Sequence, residues 1–175
     1  GFEEKDGQVV TNVDVGPAIA ADMVILAIGV SPDSGLARAA GLELGAKGSI
    51  AVNERMQTSQ MDIYAVGDAV EITNFVSGSK GYIPLAGPAN RQGRIAADNI
   101  AGIDSAYKGT QGSSIVKLFG MTVAATGLSE KAALDAGIDC AKVFTYSPSH
   151  ASYYPGGKPI SIKTVYGGNA VFYPG

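Results

Sequence analysis

The chain has 175 residues, 46% of them hydrophobic, with 13 basic and 16 acidic side chains and a net charge of −3. Charge so sparse and balanced leaves no basic stripe for a phosphate backbone, so nucleic acid is not an expected partner. No apolar run reaches the roughly 20 residues that cross a bilayer, so no membrane partner is expected either. A single cysteine, Cys140, cannot close an internal disulfide, which fits a reducing, cytoplasmic setting.

Residues 1–20 read as a hairpin, because Asp6-Gly7 stands between residues 2–5 and the apolar run that starts at Val9-Val10. Residues 22–30 form a continuous apolar run of the kind buried on both faces of a sheet. It stops at Gly29, and Pro32 blocks helical continuation. Residues 34–40 predict a turn or two of helix, with Leu36 and Ala39-Ala40 inward and Gly41 as its stop. Strands are predicted over 48–52 and over 63–66, the second ending abruptly at Gly67-Asp68. From about Pro88 the pattern is helical, with Ala89, Ile95-Ala96 and Ile100 at three-to-four spacing and Gly102 at the stop. Beyond Ile103 the texture changes. Residues 112–119 and 121–127 read as strands, 129–137 as a helix capped by Ser129, and 141–146 and 160–166 as strands. That order makes an α+β module whose boundary lies at 107–111.

Gly67-Asp68 is the sharpest chemical signal. A glycine lets the backbone come close to a ligand, and a carboxylate just past a strand's end can accept hydrogen bonds from ligand hydroxyls, as ribose or ribityl recognition requires. The stretch from Thr58 through Ile63-Tyr64-Ala65-Val66-Gly67-Asp68 resembles the second FAD-binding motif of the pyridine nucleotide-disulfide oxidoreductases, flavoproteins with two dinucleotide-binding folds. The resemblance implies that Asp68 holds the flavin's ribityl chain, with Thr58, Gly67 and Ala69 in the same cofactor-binding segment. Residues 22–32 resemble the A-x-G-x-x-P strand that closes the family's NAD(P)-binding domain, where Gly29 would pass close to NAD(P)H. The segment Pro84-Leu85-Ala86 through Asn90-Arg91-Gln92-Gly93-Arg94 resembles the family's flavin-facing helix. A helix start carries unpaired N–H groups and partial positive charge. The resemblance therefore implies Leu85 and Ala86 beside the flavin, and Asn90 where the family contacts coenzyme A.

His150-Ala151-x-Tyr153-Tyr154-Pro155-Gly156 is similar, within that family, to the coenzyme A-disulfide reductase and NAD(P)H-dependent persulfide reductase group. There a tyrosine from this segment reaches across a homodimer interface to the substrate sulfur. Tyr153 and Tyr154 are both candidates for that catalytic role, and an NADH oxidase or peroxidase of the same family is the alternative. His150 reads as a turn residue, and Cys140 as inert for want of a basic neighbour.

The implied fold class is α/β plus α+β. Residues 1–47 would be the end of an NAD(P)-binding domain, 48–107 the carboxyl-terminal part of a FAD-binding domain, and 108–175 a partial dimerisation domain. FAD and NAD(P)H are the implied cofactors, a coenzyme A-type disulfide or persulfide the implied substrate, and no metal is expected. Neither a G-x-G-x-x-G fingerprint nor the family's redox cysteine occurs in these 175 residues. The chain is therefore expected to be part of a larger reductase and not to turn over alone, or else to be a non-catalytic interaction module. Gly167-Gly168-Asn169-Ala170-Val171 departs from the family pattern that follows Tyr166.

Overall fold

At Asp6 and Gly7 the backbone takes φ values of 53° and 77°, the left-handed pair that suits a two-residue hairpin. The turn joins β1 (Phe2–Lys5) to β2 (Gln8–Thr11), antiparallel, with Lys5 opposite Gln8 and Phe2 opposite Thr11. β3 (Ile19–Ala21) pairs with β2, giving a three-stranded sheet in the order β1-β2-β3. The computed structural model describes residues 1–167. It divides into two units, Gly1–Ser31 and Pro32–Gly175.

Residues 23–30 differ from the strand predicted there: they join no ladder, and Met23, Ile25, Leu26, Ile28 and Val30 are exposed. A strand buried on both faces exists only through hydrogen bonds to flanking strands and cover from both sides. The first unit supplies neither to this run, since its one sheet ends at β3.

In the second unit α1 (Gly35–Ala39) forms where a short helix is predicted, but it buries Ala37, whereas Leu36, Ala39 and Ala40 face solvent. The reason lies one turn earlier. The buried Ser34 donates from Oγ to the Gly48 carbonyl at 2.6 Å, and that bond turns the Ser34 and Ala37 side of the helix inward.

The strands predicted over 48–52 and 63–66 are reduced to single bridges, Ile50 with Leu44 and Val70, and Gln57 with Tyr64. Each segment is still held by backbone bonds: Ile50 N–H to Ala69 O at 2.8 Å, Glu71 N–H to Ile50 O at 2.8 Å, and Ala65 N–H to Met56 O at 3.0 Å. Short β4 (Ile72–Thr73) and β5 (Lys80–Gly81) pair antiparallel. Helix α2 (Ala86–Ile100) then lays Ile95 and Ala96 against Val52, Met56, Val70, Ile72 and Tyr107, which together form the core.

β6 (Ser114–Leu118) and β7 (Met121–Ala125) make an antiparallel hairpin. Ser129 caps α3 (Glu130–Asp135) by accepting the Ala132 N–H on Oγ at 3.1 Å. β8 (Cys140–Pro148) and β9 (Pro159–Gly167) run antiparallel from Cys140 opposite Gly167 to Pro148 opposite Pro159. Lys142 and Lys163, one from each strand, both donate to the Glu130 carboxylate, at 2.7 and 2.6 Å, and tie α3 to the hairpin. Residues 168–175, with most of the departing segment noted above, lie outside the described residues. No helix among the described residues is long and apolar enough to cross a membrane.

Candidate functional site

The bond from Ala65 to Met56 carries the chain into a turn at Gly67, where φ reaches 88°. That conformation costs a residue with a Cβ and costs glycine nothing. No atom lies within 4 Å of where a Cβ would stand, so the glycine is required by backbone conformation and the space beside it is open. Val70 N–H returns to Gly67 O at 3.3 Å, and Ala69 O accepts from Ile50. Asp68, between them, is exposed, and its carboxylate has no hydrogen-bond or ion-pair partner among the described residues.

Thr58 closes the loop that leads in. Its N–H donates to Ile63 O at 2.9 Å, and its Oγ1 accepts the Gln60 N–H at 3.2 Å. The hydroxyl therefore shapes the approach to Gly67 from inside the loop.

Helix α2 begins at Ala86, two residues before the Pro88 start predicted from sequence. Pro88 is thus the third helical residue, still in the first turn, where a missing N–H breaks no intrahelical bond. Leu85 is the N-cap, at φ −140° and ψ 140°, and no side chain caps the helix or adds an acidic charge to its first turn. Ala86 and Gly87 are exposed, so the positive end of the helix faces outward. Asn90 is also exposed, and its Nδ2 donates back to Ala86 O at 3.0 Å.

Gln92 joins these two places. It is 1% exposed, and its Oε1 accepts the Gly67 N–H at 2.8 Å. Sequence reasoning gave it no role, although a signal was available. It stands three and four residues before Ile95 and Ala96, on the buried face, where a polar side chain must find a partner. The buried Tyr107 hydroxyl lies beside the Gln92 and Thr110 side chains and closes no hydrogen bond with either. Burial pushes its phenol pKa up, against smaller opposing effects from Gln92, Thr110 and the Arg91 charge.

Tyr153 and Tyr154 lie on the loop between β8 and β9, 82% and 62% exposed. Their rings are tilted at 41° with centroids 4.9 Å apart, and the His150 ring meets Tyr154 edge-on at 6.3 Å. His150 Nδ1 lies 3.1 Å from Ala151 O, and Tyr154 N–H donates to that same carbonyl at 3.0 Å. His150 is thus part of the turn. Among the described residues no hydrogen bond or ring contact joins this tip to the Gly67 turn. Gly29, in the first unit, is exposed with φ 84° and nothing within 4 Å of a built Cβ.

Residues 2–93 match the family described as pyridine nucleotide-disulphide oxidoreductase. The chain belongs to that family. It is 50% identical to the reduced CoADR-RHD of Bacillus anthracis, with a TM-score of 0.84 over 94% of this chain and 29% of that one. It is 41% identical to a CoA-dependent NAD(P)H sulfur oxidoreductase of Pyrococcus abyssi, over 83% of this chain and 32% of the relative. It is also 42% identical to an NADH oxidase of Methanocaldococcus jannaschii, over 83% of this chain and 32% of the relative. The chain thus spans about a third of the length of the relatives it matches.

A family of this kind implies a flavin and a pyridine nucleotide, and the residues present fit part of a flavin site. Among the described residues the Asp68 carboxylate has no partner and the start of α2 at Ala86 has no side-chain cap, and the space beside Gly67 is open. These are the groups that ligand hydroxyls and a negatively polarised ring edge would satisfy.

Proposed function

We propose that this chain is the carboxyl-terminal portion of a FAD- and NAD(P)H-dependent reductase that acts on coenzyme A-type disulfides or persulfides. The observation that carries the reading is the Gly67–Gln92 bond. It joins the Gly67-Asp68 turn to the uncapped helix α2, next to an Asp68 carboxylate that has no partner among the described residues. When bound, the flavin supplies electron transfer from NAD(P)H to sulfur. Asp68 holds its ribityl hydroxyls, with Gly67 and Ala69 admitting the ligand and Thr58 shaping the approach. Leu85 and Ala86 present the positive helix end, which favours the reduced, negatively charged ring. Gly29 serves NAD(P)H binding, and Asn90 faces coenzyme A.

Residues 1–47, 48–107 and 108–175 are read as parts of the NAD(P)-binding, FAD-binding and dimerisation domains of a cytoplasmic homodimer. Tyr153 and Tyr154 carry exposed phenols that can donate to a thiolate as it forms across that interface. The name of the Pyrococcus relative supports a sulfur substrate. The similarity to the Methanocaldococcus relative supports a second reading, NADH oxidation by oxygen.

The test is stopped-flow absorbance on the whole dimer, following flavin reduction by NAD(P)H and reoxidation by coenzyme A disulfide or by oxygen. Replacing the acting tyrosine with phenylalanine slows reoxidation by the disulfide about tenfold or more and leaves reduction by NAD(P)H unchanged. If both Tyr153→Phe and Tyr154→Phe match the parent, or if oxygen outcompetes every sulfur substrate, the sulfur reading fails.

A further inference from the structure

The Gly67 N–H that Gln92 accepts lies 25 residues away in sequence, in a partly buried place. An amide side chain can meet an N–H only with its oxygen, so the orientation of Gln92 follows from its partner. The same oxygen selects one orientation of the Val66–Gly67 peptide. A flip would turn the Val66 carbonyl toward Gln92 Oε1, setting oxygen against oxygen and leaving the Gly67 N–H without an acceptor. A flip would also carry Gly67 away from its φ of 88°, so the bond to Gln92 holds the left-handed turn that leads into Asp68.

We propose that Gln92 is a positioning residue for the flavin site. It touches no ligand, and it holds the Asp68 carboxylate at a set direction and spacing from the start of α2. The two segments therefore meet one cofactor together. This rests on the reading of Asp68 as a flavin ligand, and its test separates the two claims. A core-filling role for Gln92 is the competing account, and it requires only volume.

The experiment uses the whole flavoprotein and four variants: Gln92→Met, Gln92→Glu, Asp68→Ala, and the double Gln92→Met/Asp68→Ala. Methionine fills similar space without an acceptor, and glutamate keeps an acceptor at the same distance along the side chain. The readouts are the FAD dissociation constant from titration of apoprotein and the flavin midpoint potential.

Gln92→Met raises the dissociation constant roughly five- to a hundredfold, and Gln92→Glu restores most of it. In the double variant the methionine change adds less than about twofold to the effect of Asp68→Ala, because both act through one contact. A parental dissociation constant and potential in Gln92→Met, beside a weakened Asp68→Ala, overturns the role of Gln92 alone. Full multiplication of the two single effects in the double variant overturns it as well, since core packing behaves that way. A parental constant in Asp68→Ala overturns the flavin reading of Asp68 and this proposal with it. If Gln92→Met does not fold, Gln92→Asn carries the same test, since it stays polar and withdraws the acceptor by one methylene.

Discussion

Met56 combines two properties that rarely coincide, and together they reverse a familiar order of stability. Its side chain is 2% exposed, packed with Val52, Val70, Ile72, Ile95, Ala96 and Tyr107. Its φ of 66° lies in the left-handed region. The backbone there is committed, since Met56 N–H donates to Asn53 O at 3.0 Å and its carbonyl accepts from Ala65 at 3.0 Å. Met56→Ala removes the packed side chain and keeps the strained Cβ, so it should cost about 2 to 5 kcal/mol. Met56→Gly removes the side chain and the Cβ together. Glycine elsewhere is about 0.5 to 1 kcal/mol worse than alanine, but a left-handed φ penalises alanine by about 1 to 2 kcal/mol. The difference runs from about zero to about 1.5 kcal/mol in glycine's favour.

The expected order is thus parent, then Met56→Gly, then Met56→Ala, with the last two equal at the limit. Urea unfolding of the 175-residue chain by far-UV circular dichroism measures it. With a slope of about 2 kcal/mol per molar, a loss of about 3 kcal/mol moves the midpoint by about 1.5 M. A glycine variant less stable than the alanine variant by about 1 kcal/mol or more would refute the strain argument. A loss below about 1 kcal/mol in Met56→Ala would refute the place of Met56 in the core.

Two further outcomes follow from the α3 region. Ser129→Ala removes the acceptor for the Ala132 N–H and should destabilise the chain by about 1 kcal/mol; Ser129→Asp, which keeps a capping oxygen, should not, and equal midpoints for all three proteins would show that the cap contributes nothing. Hydrogen bonds from Lys142 and then Lys163 hold the Glu130 carboxyl below its ordinary pKa. A carboxyl whose folded pKa is lowered adds stability that is present above its unfolded pKa and is lost as pH falls through the folded one. Thermal midpoints of the parent and of Glu130→Gln should therefore differ at neutral pH and converge in acid, below the usual glutamate range, and a constant difference across that window would remove the linkage.

Some of this protein is written locally in its sequence. Asp6-Gly7 makes its hairpin because the left-handed pair of dihedrals is a property of those two residues. Ser129 starts α3 because a hydroxyl at the N-cap meets an N–H three residues on. The Gly67-Asp68 signal is local too, since a left-handed glycine and the carboxylate after it need only each other and a strand end.

Other features depended on partners that no local pattern names. Residues 22–30 have the composition of a buried strand, but a strand is completed by its neighbours, and the first unit offers none to this run. Leu36 is more apolar than Ala37, yet Ala37 is the buried one, because the Ser34–Gly48 bond set the rotation of that helix. Gln92 could be read from its spacing as a polar residue on a buried face. That its partner is the Gly67 N–H could not, because the hydrogen bond spans 25 residues and exists only once α2 has packed on the core. Sequence by itself thus determined turns, caps and the left-handed glycine of the candidate site, all of which rest on short-range conformational preference. Tertiary structure alone decided which strands found partners, which helix faces turned inward, and that Gln92 meets the Gly67 N–H beside Asp68, since each depends on contacts between segments far apart in the chain.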